Sequence, residues 1–563
     1  MDRSPSEVGE AAAEAHSSPE PAEGIPEFAP GAPGLPDNPG PENELVELAP
    51  VNDSSLGAVD KGAQPPASTL LRWAQHIPLV VMMWLYAVHF GRITVALLRV
   101  FGQPAYDMAM PDQGVWLLSR FHDPFLTVAG RNLFGDHATF IYLLLVPVYW
   151  VYPHTAVLLV VQAALQAAGA IPVYLLARHL LKSTVMATGL AAAYLLNPVL
   201  QQTDFEQFHV EAFETPLLAL AIYAAVVWRP RLLVVSVALV LCCKEDAALY
   251  TFPVALWVVF RRDRRLGSAC IAASAAVAAF DNLFLIPTLL GYTSAHGGRL
   301  PFGGLGGLWR TAVRQPGQLW AYLVSNGRPW YVWQMVFSAG FVFLAAPEVA
   351  AIGVFQLGTN VVSSFGYQHE IPYHYSMPIV AVLVCGSVYA VSRLRSTLHR
   401  YVATSVVVLS ALWSCVLWGA APFSDFAAHA PLTDTPSLNA TRHLLAKIPP
   451  TAVVSAVYEF VPALDHRTEI YMWPNPFYQS YYGNPKYDGT YWPFSSTVQY
   501  LVLPACLACD QGSSNSVAVF DKISSQFREV AATPSFALYK RVAPPPSRTP
   551  PLRSYPEPAQ TSR

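Results

Sequence analysis

Apolar positions dominate this chain in long runs, and polar positions fall in short clusters between them. A helix needs about 20 residues to cross a ~30 Å hydrocarbon core. Runs of that length lie near 78–100, 156–178, 184–203, 268–290, 372–393 and 401–420, with shorter candidates at 212–228, 231–243, 247–260, 330–347 and 349–365. The run 139–152 ends in Tyr-Pro-His and fits either a short crossing or a helix lying along the interface. Beyond 424 the pattern changes. Short β-rich runs at 452–458, 498–503 and 536–541 alternate with helical stretches near 436–447 and 515–528, which predicts a small α/β domain over 424–542.

The cations resolve the ambiguity at 139–152. Arg178 and Lys182, then Arg229 and Arg231, then Arg261, Arg262, Arg264 and Arg265, and finally Arg393, Arg395 and Arg400 form four short basic clusters. Short cytoplasmic loops concentrate such residues. All four share one side only if 139–152 does not cross and if 231–260 is a hairpin turning at Lys244-Glu245-Asp246. The expected fold is therefore an α-helical polytopic membrane protein with about eleven transmembrane helices. Its N-terminus is cytoplasmic, 71–423 holds the membrane region with a large first outer loop at 101–155, and the α/β domain is extracytoplasmic.

Composition agrees: 53% of residues are hydrophobic and 13% charged, against about 25% charged in soluble domains. This excludes a disordered or nucleic-acid-coating chain, so the expected surroundings are membrane lipid. The net charge of −3 hides a division, because residues 1–70 carry −11 and twelve prolines while the remainder carries +8. Such a segment cannot bury enough apolar surface to order itself, so 1–70 reads as an acidic cytoplasmic tail and 543–563 as a second, Pro-rich one. No cleavage-like exit follows the first long apolar run, which is expected to remain as an anchor. Five of the seven cysteines lie in apolar runs as packing residues. Cys506 and Cys509 form a C-x-x-C that fits a disulfide, a redox pair or half a metal site, and an oxidising compartment favours the disulfide.

With this topology the remaining charged clusters share the outer face. Ionisable groups at membrane depth cost several kcal/mol, about 2.5–3.5 on insertion scales, and so become functional candidates. Asp107 and Asp112 follow the first helix and suit a general base or a metal ligand, or a helix cap. Asp136 and His137 close the same loop. In DFEQFHVEAFE, Glu206 and His209 have the i, i+3 spacing of a metal pair, with Glu211 beside them. Lys244, Glu245 and Asp246 either neutralise one another in a hairpin or hold an anionic lipid phosphate. His369, Glu370, His374 and Tyr375 open the 372–393 run, where they close the site or cap that helix. No P-loop, dinucleotide fingerprint or nucleophile elbow occurs in a supporting context. The GGLGG run at 303–307 lacks a basic residue placed for a phosphate and reads as flexible.

Several motifs together resemble the bacterial polytopic membrane proteins grouped as domain of unknown function 2079. They are Tyr106, Asp107, Asp112, Gln113 and Trp116 in YD-(x)4-DQ-(x)2-W; RNLFGDH at 131–137; FHVEAF at 208–213; KEDAAL at 244–249; His374-Tyr375; and IPPTAVVSA with VPALDHR in the C-terminal region. Ala463 departs from the pattern, standing where the family often has histidine. That family is similar in layout to C-type-fold membrane glycosyltransferases, which carry an acidic residue in the first outer loop and use polyprenyl-phosphate sugars.

The resemblance implies transfer of a sugar from a polyprenyl-phosphate donor to an envelope glycan or lipid acceptor. It implies catalytic roles for Asp107 and Asp112, and substrate binding by Arg131, Asp136, His137, Glu206, His209, Glu211, Lys244, Glu245 and His374. A divalent cation is the cofactor to look for, with His137, Glu206 and His209 as candidate ligands. The alternative is a transporter or lipid-handling envelope protein without chemistry.

Overall fold

The computed structural model describes residues 74–291, 298–424, 433–481, 493–509 and 514–542. Both terminal tails and the middle of the aromatic stretch before Pro493 lie outside these residues. Among the described residues five helices are long and apolar enough to cross a membrane: Ile77–Arg99, Ala156–Leu181, Arg264–Leu290, His374–Arg393 and Thr397–Trp418. Shorter apolar helices are Thr184–Leu195, Pro230–Leu241 and Ala248–Arg261. Glu211–Val227 is a further apolar helix, buried between Pro230–Leu241 and His374–Arg393.

Local chemistry explains the breaks. The single run expected over 184–203 divides because Asn197 caps a new helix, its side chain accepting from Val199 N, and Pro198 starts it where no amide is needed. Pro230 opens Pro230–Leu241 in the same way. The hairpin between Pro230–Leu241 and Ala248–Arg261 turns at Lys244-Glu245-Asp246, as the charge pattern requires.

Residues 140–151 form a 3-10 turn followed by a short helix, Phe140–Leu145 and Val146–Val151. At about 1.5–2 Å per residue this falls short of a ~30 Å core. It packs on the Ala109–Ser119 helix and leaves Leu143, Leu144, Trp150 and Val151 exposed, the profile of a helix lying in the interface. The basic clusters converge at the opposite end of the helices. Lys182, Arg229 and Arg262 surround His179, and Arg261 and Arg393 both pair with Glu348.

Two short strands, β1 (Phe125–Leu126) and β2 (Arg131–Asn132), pair in the first loop. After the Pro436–Leu445 helix, a five-stranded sheet among the described residues contains β3 (Val454–Ala456), β4 (Ile470–Met472), β5 (Tyr500–Pro504), β6 (Phe527–Ala532) and β7 (Phe536–Arg541), in the order β4-β3-β5-β7-β6. β3 is parallel to β4 and β5, while β7 is antiparallel to β5 and β6. The helical stretch expected over 515–528 stops at Ile523, because Phe527 already belongs to β6. Cys506 and Cys509 are joined as a disulfide.

This region does not have a core of its own on the side facing the first loop. Met108, Ala109 and Tyr149 share one apolar cluster with Leu444, Val454, Phe460 and Val502. Polar ties run across the same seam. Thr127 Oγ1 donates to Ile470 O at 2.7 Å and accepts from Ile470 N at 2.9 Å, and Ala105 N donates to Tyr458 O at 3.1 Å.

Candidate functional site

The polar loops between helices meet at one end of the bundle because buried side chains satisfy their backbone. Gln162, inside the Ala156–Leu181 span, donates to the carbonyls of Thr203 and Gln207 and accepts from His209 N. Irregular backbone is tolerated at membrane depth only when paired in this way. Ile141 N donates to Cys242 O at 2.8 Å, tying the interfacial segment to the Lys244 hairpin. Asn132 caps the short Leu133–Asp136 helix through Phe134 N, which sets Asp136 and His137 beside it.

These loops enclose a cavity of about 480 Å³ walled by Asp107, Arg131, Lys244, Arg299, Tyr367 and Tyr375, among others. A smaller recess shares Asp107, Asp136, His137, Lys244 and His374 with it and adds His209 and Glu211. Asp107 is exposed at the mouth, following Tyr106, whose φ of 63° puts a non-glycine residue in the left-handed region. That conformation costs roughly 1–2 kcal/mol. It is held by the Ala105–Tyr458 hydrogen bond and by Met110 N donating to Tyr106 O at 2.8 Å.

Three buried ion pairs lie at this end of the bundle. Lys244 Nζ lies 2.9 Å from Glu211 Oε1, and its ammonium sits 5.8 Å from the Tyr375 ring centre. Arg131 pairs with Asp136 at 2.7 Å. His137 Nδ1 lies 2.8 Å from Glu245 Oε1, and Ala138 N donates to the other oxygen. Burial disfavours both charged forms of that last pair, but their mutual attraction wins. Glu245 is held below the ordinary carboxylate range and His137 is raised.

Glu206, His209 and His374 form a separate group. Glu206 Oε2 lies 3.3 Å from His209 Nε2 and 3.8 Å from His374 Nδ1, and the two imidazoles stack at 3.8 Å. Burial raises the Glu206 carboxyl, yet the two imidazoles beside it bring it down to about 2, and Glu206 in turn raises His209 against the effect of burial. Those three facing atoms are buried and none has an aligned hydrogen-bond partner. Two imidazoles and a carboxylate whose donor atoms lie within 4.8 Å of one another fit a divalent transition metal such as Zn2+.

The sequence-derived set therefore separates. Asp107, Arg131, Asp136, His137, Glu206, Lys244 and His374 line the larger cavity, and His209 and Glu211 the recess. Glu245 stands behind His137. As a metal candidate His137 gives way to His374, because its Nδ1 is directed at Glu245. Asp112 does not reach the mouth with Asp107; it is fully buried and accepts from Tyr149 and His466. Sequence reasoning passed over Arg299, which lies over the Phe365 ring at 4.4 Å, and the aromatic wall of Tyr367, Tyr373 and Tyr458. A cation four residues before the glycine run was the available signal.

Apolar helices around a charged, aromatic-walled cavity at one end of the bundle, roofed by an α/β region, define a polytopic membrane protein with a polar site at its interface. A family described as predicted membrane protein (DUF2079) matches residues 98–501, well over half of the chain, and the chain belongs to that family. No curated protein matches it. Two solved structures of ArnT from Cupriavidus metallidurans are similar to it. The one bound to undecaprenyl phosphate is 11% identical with a TM-score of 0.48, covering 85% of this chain and 99% of that one. The apo structure is 10% identical with a TM-score of 0.47, covering 84% and 98%.

Proposed function

We propose that this protein is an integral membrane glycosyltransferase that moves a sugar from a polyprenyl-phosphate donor to an envelope glycan or lipid acceptor. The reaction occurs on the outer face and inverts the anomeric centre. The observation that carries this reading is the cavity itself: one exposed carboxylate, Asp107, at the mouth, with Lys244, Arg131 and Arg299 in the walls among tyrosines. Asp107 takes the proton from the acceptor hydroxyl as its oxygen attacks the anomeric carbon. The bond from that carbon to the phosphate oxygen breaks, and polyprenyl phosphate leaves with the electron pair. Lys244, with Arg131 or Arg299, holds the charge that builds on the leaving phosphate, the type of contact whose loss costs roughly 10²–10³ in rate. Tyrosine and phenylalanine faces suit the apolar faces of a sugar ring.

Glu206, His209 and His374 would hold a divalent cation, which would add positive charge near a bound phosphate. The Cys506–Cys509 disulfide favours an oxidising compartment for the C-terminal region, in keeping with an extracytoplasmic site and a cytoplasmic N-terminus.

The test is transfer by purified protein from a panel of polyprenyl-phosphate sugars, together with a search for a sugar-modified product in membranes that disappears on gene deletion. Asp107→Asn should lower the rate by about 10²–10⁴ without changing the fold. Full activity in that variant would remove the proposed base, and the lack of any product in either experiment would remove the enzyme.

A further inference from the structure

Lining neither the cavity nor the recess, a second cluster crosses the seam between the first loop and the C-terminal region. Asp112 comes from the Ala109–Ser119 helix, whereas Asp465 and His466 come from the VPALDHR segment. Asp112 is 0% and Asp465 1% exposed, while the His466 side chain is 26% exposed. Asp112 Oδ1 is satisfied by the Tyr149 hydroxyl at 2.5 Å and by His466 Nε2 at 3.0 Å.

Two further oxygens of the cluster are not. Asp112 Oδ2 and Asp465 Oδ2 are buried without a well-aligned hydrogen-bond partner, although the Thr155 hydroxyl lies near Asp112 and the two carboxyl groups face each other. Arg467, the neighbouring cation, donates to the carbonyls of Leu464, Ala452 and Pro449 and to neither carboxylate. Two carboxylates brought together without water cannot both stay ionised unless a positive charge lies between them; the only other arrangement is one shared proton. One ligand atom from each of Asp112, Asp465 and His466 lies within 4.8 Å of the others. Trp116 stacks on the His466 ring at 6.0 Å and fixes its plane.

We propose that Asp112, Asp465 and His466 form a divalent metal site, separate from the Glu206–His209–His374 group, that clamps the C-terminal region onto the first loop. Two carboxylate oxygens and one imidazole suit Zn2+ or Mn2+ better than Ca2+ or Mg2+, which prefer all-oxygen shells. The half-open edge at His466 provides the entry path. The assignment is independent of the proposed transferase activity.

The experiment uses the full-length protein in nanodiscs, stripped with a chelator and reloaded with Zn2+, with bound metal counted after desalting. Asp465→Asn and His466→Gln should each retain one Zn2+ fewer per chain than the unmodified protein, with affinity at that site down by at least about 100-fold. Zn2+ should raise the unfolding temperature of the stripped protein and leave that of Asp465→Asn unchanged. In a His374→Gln background, where the other group is broken, X-ray absorption at the zinc edge should report a single imidazole among oxygen ligands. Equal metal counts in all variants, or no zinc retained by His374→Gln, would overturn the site and leave the two carboxyl groups sharing one proton. Because the His374→Gln measurement leaves the seam intact, failure of an Asp465 variant to fold does not shield the proposal.

Discussion

Replacing Lys244 with methionine keeps the unbranched stem of the side chain and deletes its charge, leaving Glu211 facing a cavity wall with no ammonium. At 2.9 Å and an effective dielectric of ~20, the attraction between them is worth roughly 6 kcal/mol before desolvation. Both side chains are under 10% exposed, so most of that is offset by the cost of burial in the intact pair. The cost of breaking a buried pair from one side is typically about 3–5 kcal/mol. Lys244→Met should therefore cost about 3–5 kcal/mol. Lys244→Met/Glu211→Gln should recover to within about 1 kcal/mol of the unmodified protein, since neither charge is then stranded. Unfolding in mixed micelles can be followed by reagent access to the buried thiols of Cys243, Cys385 and Cys415. Transfer activity should behave differently and stay low in both variants, because a leaving phosphate still lacks its cation. Stability unchanged in Lys244→Met, or a double variant no more stable than the single one, would refute the buried pair. Activity restored in the double variant would refute the phosphate contact.

Three further outcomes are expected. His374→Gln should abolish any restoration of transfer by Zn2+ after chelation, and a variant that still responds would dissociate the metal from the Glu206 group. For the Glu245–His137 pair, the Glu245 contribution is present above its ordinary pKa of 4.5 and lost as pH falls through its depressed folded value. The His137 contribution is complete below 6.5 and lost as pH rises through its elevated folded value. Stability against pH should therefore decline on both sides of an acidic-to-neutral plateau, and His137→Asn should flatten the alkaline side in a denaturation series. Finally, with the native free cysteines replaced, a thiol reagent that cannot cross membranes should spare Asp263→Cys and label Ser524→Cys in intact cells. The reverse pattern would put Lys244 on the cytoplasmic face, where the proposed donor chemistry could not occur.

The apolar frame was legible because each span is a local property of composition and length. The shortness of the 140–151 segment agrees with what counting the basic residues implied. The hairpin at Lys244 followed from the same count. Pairings across the bundle were not legible. Nothing local to KEDAAL points to Glu211, and nothing local to His374 points to Glu206 rather than to His137. Asp112 looked like a partner of Asp107 because only five positions separate them, but the helix starting at Ala109 carries it under the loop toward Tyr149. Arg299 was overlooked because its significance comes from Phe365 and Tyr375, more than sixty positions later.

The apolar cluster shared by the first loop and the C-terminal region also restricts how this protein can change over evolutionary time. Asp107 and Tyr106 take their positions partly from residues near Tyr458, so a C-terminal region imported from a distant relative would arrive without the surface that shapes the cavity mouth. The two segments are expected to be inherited as one block. A chimera that exchanges only residues beyond 424 should misplace the Asp107 loop, whereas one that exchanges 101–155 along with them should keep it.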